Sequence, residues 1–172
     1  MAVLAVAAAA AAIALLWKSP TAVPAIAAGC GKSVPGPGFR VFSCMSGGAD
    51  AGHPHPKELL VVRDDGTSAA YRASRTPELA ARDGEVVASY DLGLVRVASR
   101  GLVPLLTNRE LADALHVRPA AIFDLHSPRI DHHGAVSFTP SVLGRGGCRN
   151  PVLELVGGTV RQVQGSTSRT CS

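Results

Sequence analysis

Residues 83–106 decide the fold class: Asp83-Gly84-Glu85-Val86-Val87-Ala88-Ser89-Tyr90-Asp91-Leu92-Gly93-Leu94-Val95-Arg96-Val97-Ala98-Ser99-Arg100-Gly101-Leu102-Val103-Pro104-Leu105-Leu106. Asp-Gly between apolar and β-branched residues signals a hairpin, because both turn positions favour positive φ. Asp83-Gly84 therefore opens a strand over residues 85–90. A second strand covers 94–98, a turn falls at Arg100-Gly101, and a third strand covers 102–106. Short strands joined by glycine turns define an antiparallel, all-β chain.

Working outward, the strand–strand–glycine–strand order occurs twice more. On the N-terminal side, a strand over 39–44 is followed by a Gly/Pro-rich loop. A strand over 58–63, the turn Asp64-Asp65-Gly66 and a strand over 67–73 complete that copy. On the C-terminal side, His133-Gly134 opens a strand over 135–139, followed by one over 152–156, Gly157-Gly158 and one over 159–163. This third copy has an additional outer strand over 121–125, leading into Ser127-Pro128-Arg129-Ile130-Asp131. Gly84 and Gly134 are 50 residues apart, within the span of one propeller blade. Two connectors read as short helices. Thr76-Pro77-Glu78 has a cap, a proline at the first helical position and an acid, while Thr107 and Glu110 form a capping box ahead of residues 111–115.

The third copy, from Ser127-Pro128 through His133-Gly134, Val136, Phe138, Leu153-Glu154-Leu155, Gly158 and Arg161, resembles a TolB-type propeller blade. Such blades run serine-proline-aspartate-glycine, strand, strand, glycine and a last strand ending in Leu-Thr. The second copy is similar, with Asp83-Gly84, Val86, Leu94-Val95, Val97, Gly101 and Leu106-Thr107. The resemblance departs at His133, where an aspartate is expected, and in the unequal spacing of the copies. Three copies are also fewer than the roughly four blades of a closed propeller. It implies three blade-like antiparallel units, not closed, and a noncatalytic module that binds a protein or another cell-surface component through its loops.

The ends of the chain point to export. Residues 2–17 are sixteen consecutive apolar residues, the length of a signal-peptide core rather than of a spanning helix. Lys18 follows, and Ala25-Ile26-Ala27 suits a signal peptidase, which accepts small side chains. Ala27-Ala28-Gly29-Cys30 resembles the end of a lipoprotein signal, which makes Cys30 a lipidation candidate. The expected organisation is a signal peptide or membrane anchor over 1–27, a Gly/Pro linker over 28–37, the β domain over 38–165 and a Ser/Thr tail over 166–172. The N-terminal segment is the part expected to contact membrane. Cys30, Cys44, Cys148 and Cys171 contain no C-x-x-C pair, so an exported chain would use them as disulfides. Sequence proximity favours Cys30–Cys44 and Cys148–Cys171, the latter pinning the tail to the third copy.

Composition and motifs narrow the function further. The 17 basic residues contain no run of three and only seven residues are aromatic, which argues against nucleic-acid binding despite a net charge of +4. Gly31-Lys32-Ser33 echoes a phosphate loop but lacks the glycine five residues earlier, where Ile26 stands. No G-x-S-x-G nucleophile turn is present, so no catalytic residue is assigned. The most polar constellation is Asp124, His126, Asp131, His132 and His133. Imidazole and carboxylate groups bind zinc or copper, which makes a secreted metal-binding or hydrolytic protein the alternative function. Strand alternation puts Asp124 and His126 on one face, whereas His132 and His133 are expected to diverge. Asp131 is equally suited to bond its own turn. His53-Pro54-His55 is a second copper candidate. The expected core is Val86, Ala88, Val95, Val97, Leu102, Leu106, Phe123, Val136, Phe138, Leu153, Leu155 and Val160.

Overall fold

A computed structural model describes residues 30–44 and 57–163. Residues 2–17, the His53-Pro54-His55 stretch and Cys171 with its tail lie outside the described residues. Among the described residues the strands form three antiparallel sheets, none of them closed. No helix there is long and apolar enough to cross a membrane.

The first sheet runs β1 (Cys30–Gly36), β2 (Phe39–Cys44), β3 (Lys57–Arg63), β4 (Ser68–Ala73) in spatial and chain order. Residues 30–36, expected to be linker, are thus a strand. Pro35 is tolerated because β1 is an edge, and Gly38 at φ 76° closes the turn onto β2. Cys30 stands directly opposite Cys44 in this pair, and the two form a disulfide. A sulfur held in that bond has no thiol left to carry a lipid, so the two readings of Cys30 exclude one another.

The second sheet repeats the meander with β5 (Leu79–Arg82), β6 (Glu85–Tyr90), β7 (Gly93–Ala98) and β8 (Gly101–Leu106). Asp83 at φ 50° and Gly84 at φ 81° have the two positive angles that a tight two-residue hairpin needs. Gly93 is required for another reason: a Cβ there would lie 2.5 Å from the Leu106 carbonyl oxygen. The helix expected at Thr76-Pro77-Glu78 does not form. Glu78 instead donates its N–H to Ser89 Oγ (2.9 Å) and accepts from the Ser89 N–H (3.0 Å), so the chain enters β5 extended. The other helix, α1 (Asn108–Leu115), follows β8 with the reciprocal Thr107–Glu110 capping box.

The third sheet contains β9 (Ile122–Ile130), β10 (Val136–Gly144), β11 (Gly147–Arg149), β12 (Leu153–Val156) and β13 (Thr159–Gln162). β11 and β12 keep one register against β10, so they are two halves of one strand. The interruption has a simple cause. In that register Pro140 faces Pro151, and neither proline has an N–H to give the ladder. Each sheet is therefore a four-stranded meander. Its first strand lies against the next sheet, β1 on β5 and β6, and β5 and β6 on β9. This is a propeller-like arrangement of three unclosed units.

The stacking is driven by two apolar layers. Between the first and second sheets lie Val41, Leu59, Val61, Val86, Ala88, Val95 and Val97. Between the second and third lie Val87, Leu94, Leu106, Phe138, Val142 and Leu153, with Leu111 and Ala112 of α1. β6 is apolar on successive residues because it serves both layers. A separate buried group, Phe42, Cys44, Leu60 and Val62, occupies the other face of the first sheet.

Most of the expected core is buried, with Leu102 and Val160 only half-buried. Phe123 is the exception, at 37% exposure. Ile122 faces Val142 and Asp124 faces Ser141, so Phe123 is an extra residue in a β-bulge. The bulge turns Ile122 and Leu125 inward and Phe123 outward. A second irregularity lies between His126 and Arg129, where Ser127 takes φ 56°.

Candidate functional site

The irregular β9 strand and the turn after it contain the polar constellation, and the structure divides it in two. Asp124 and His126 share a face, as alternation requires, with Ser141 and Thr139 opposite them on β10. His126 Nε2 lies 3.5 Å from the buried Ser141 hydroxyl, and Nδ1 lies 3.4 Å from Ser127 Oγ. Asp124 accepts from its neighbour's N–H, Leu125, at 3.0 Å and lies 3.9 Å from the Arg75 guanidinium. Both partners of that ion pair are more than 40% exposed, so it contributes little.

Asp131, His132 and His133 belong to the β9–β10 turn. Asp131 Oδ1 accepts the N–H groups of His133 (2.8 Å) and Ala135 (2.9 Å). Those two donors, Ala135 first, hold its carboxyl below the usual carboxylate range. The acid thus bonds its own turn. The histidine rings do not diverge as expected; their centroids lie 3.8 Å apart with planes tilted by 43°. Among the described residues no group of three or more His, Cys, Asp or Glu side chains is placed to hold a metal ion.

The bulge at Ser127 has a structural partner that sequence reasoning placed elsewhere. Glu78 reaches across from the segment before β5 and accepts the Ser127 N–H at 2.7 Å. The acid expected at a helix start instead anchors the third sheet to the second. Related bonds join the first and second sheets. Ser43 and Arg63 donate to the carbonyls of Pro77 and Ser99, and Ser74 donates through N–H and hydroxyl to Asp91, both at 2.8 Å. The polar residues around β5 and β9 are largely fasteners between sheets.

A cleft of about 800 Å³ lies beside the β10–β11 hairpin and the chain after α1, at the end of the third sheet away from the β9–β10 turn. Arg118, Arg145 and Arg149 line it, together with Val117, Leu143 and Cys148. Sequence reading missed it because the three arginines are far from forming a run. Residues 140–151 fall between the strands read at 135–139 and 152–156, with no strand expected there. They form a tight hairpin instead, since β10 continues to Gly144 and returns at Gly147. Cys148 is disulfide-bonded. Its expected partner, Cys171, lies outside the described residues.

Geometry thus defines an all-β protein of three unclosed antiparallel units, with inter-sheet fasteners and a cleft lined by three arginines. Comparison with protein-family models, curated proteins and solved structures returns no match.

Proposed function

We propose that the chain is an exported, noncatalytic binding or scaffold module built from TolB-like β repeats, acting at the cell envelope or outside the cell. The observation that carries this reading is the repetition itself. Three four-stranded meanders stack through their first strands, and their turns are left at the surface. A rigid stack that displays several loops is suited to holding a partner protein or cell-surface component. The Cys30–Cys44 disulfide favours an oxidising compartment, consistent with an apolar export segment over residues 2–17.

Site-specific photocrosslinking in cells that express the chain naturally tests this. A photoreactive residue at Asp64, Ser99 or Gly157, each in an inter-strand turn, should give a discrete adduct in the exported fraction. A protein that stays reduced in the cytoplasm, or gives no discrete adduct from any turn, would contradict the proposal. Cofactors are not part of this reading. Zinc or copper bound near-stoichiometrically by untagged protein would favour the metal-binding alternative at Asp124–His133.

A further inference from the structure

From the cleft of the third sheet we infer that the module captures an acidic segment of a partner protein, one in which carboxylates alternate with apolar side chains. This rests on the binding-module reading and names the kind of partner for one of its surfaces. Arg118, Arg145 and Arg149 converge on the cleft from two directions: Arg118 from the chain after α1, and Arg145 and Arg149 from the turn and the β11 arm of the β10–β11 hairpin. All three are exposed. The ion pairs among the described residues involve other arginines, Arg75, Arg82, Arg96 and Arg161. Among the described residues no aspartate or glutamate lines the cleft. Like charges gathered without a counter-charge repel one another, and an anionic ligand relieves that repulsion. Guanidinium groups present a planar fork that matches a carboxylate through two parallel hydrogen bonds.

The apolar lining narrows the ligand. Leu143 is 60% exposed, the most exposed large apolar residue described, and it stands at this cleft with Val117. Free inorganic anions would leave that surface in water. A peptide with acidic and apolar side chains would pair the guanidiniums and cover Leu143 together. Shape argues against a flat bilayer, since the site is concave and its three arginines fall below the four to eight basic residues of a typical lipid-binding cluster. Nucleic acid is disfavoured too, because among the described residues no aromatic side chain lines the cleft for bases to stack on.

The test uses the full, disulfide-intact chain and a short fluorescent peptide alternating Glu and Leu, read by polarisation. Saturable binding that weakens with added salt is expected, and the matching Lys-Leu peptide should not bind. Replacing Arg118, Arg145 and Arg149 together by Gln should weaken binding about tenfold or more, with an unchanged melting temperature. Removing Arg40 and Arg129, exposed arginines outside the cleft, should change it little. Leu143→Ser should reduce affinity for the Glu-Leu peptide to that for an all-Glu peptide. Unchanged binding by the triple variant, or no binding by the parent chain, would overturn the inference. So would preferential binding to phosphatidylglycerol vesicles over the peptide. If the peptide fails while turn positions still give discrete crosslinks, the cleft assignment falls and the binding-module reading stands.

Discussion

The second and third sheets are built from the same meander, yet only the second follows its sequence pattern without interruption on its inner strands. β6 pairs with β7 residue for residue from Val87 opposite Arg96 to Tyr90 opposite Gly93. Its turns are short, and its inward residues alternate between the two apolar layers. β9 and β10, by contrast, are each nine residues long, and their register breaks twice. The cause lies in what each pair must satisfy. The middle sheet is clamped between two apolar layers, so a slip in register would expose a whole row of side chains. The third sheet has one apolar layer, and its other face bears Asp124, His126 and Ser141. Its first strand can absorb extra residues, provided each bulge has a partner such as Glu78 at Ser127.

Substitution of the two phenylalanines in the third sheet is the strongest way to break the comparison. Phe138 is 1% exposed in the shared layer, so Phe138→Ala should cost about 3–5 kcal/mol. Phe123, turned outward by the bulge, should cost under about 1 kcal/mol when replaced by Ala. Urea titration of both variants reads the difference directly. Equal losses would mean that the bulge is misplaced and both rings are packed.

The next largest effect concerns the first sheet, which also has one stacked neighbour but is stapled at β1, the strand that lies against it. Cys30 and Cys44 are 14 residues apart in sequence. Replacing both by Ala should destabilise the chain by roughly 3 kcal/mol on the loop-entropy account. Thermal melting under oxidising conditions checks this, and reductant should lower the parent's midpoint while leaving the double variant's response smaller. An unchanged midpoint in the double variant would show that β1 is held by its pairing alone.

These contrasts also explain how much was legible. The strand at 85–90, the meander after it and the α1 capping box could be read because each depends on neighbours within a few residues. Asp83-Gly84 and Thr107–Glu110 are signals of that local kind. Phe123 was misread because a bulge is fixed by the partner strand, which a single stretch of sequence does not display. Thr76-Pro77-Glu78 has local helix signals that lose to pairing with Ser89, eleven residues on from Glu78. At 28–37 the Gly and Pro content concealed an edge strand. The arginine cleft depends on a fold that brings residue 118 beside residues 145 and 149. Of the Asp124–His133 constellation, only the shared face of Asp124 and His126 and the self-bonded Asp131 turn could be anticipated.

The smallest predicted effect compares two turns of one design. Arg63 and Asp131 each donate their N–H to the carbonyl four residues on, Thr67 at 2.9 Å and Ala135 at 3.0 Å, with Gly66 and Gly134 at φ 85° and 79°. Here Asp65 differs from the expected hairpin, since only Gly66 in that turn takes a positive φ. Asp65 accepts from the Thr67 hydroxyl and N–H, and those bonds lower its carboxyl affinity for protons, as the Ala135 and His133 N–H groups do for Asp131. A carboxyl depressed by folding adds stability above its unfolded value, near 3.8 for both, and loses it as pH falls through the folded value. Asp65→Ala and Asp131→Ala should therefore each show a small stability deficit that is constant near neutrality and shrinks below about pH 4. Denaturant midpoints measured across that range check this. A deficit that grew on acidification would contradict the assigned bonds.

The central claim is that the three sheets stack through their first strands, so that topologically equivalent edges are not physically equivalent. Native-state amide hydrogen exchange measures this most directly. Hydrogen-bonded amides of β5 and β9, edges that face a neighbouring sheet, should exchange only through near-global opening. Those of β4 and β13, edges on the outside, should exchange faster by local fraying. Equal protection of inner and outer edges, or faster exchange in β5 and β9 than in β4 and β13, would contradict the stacked arrangement.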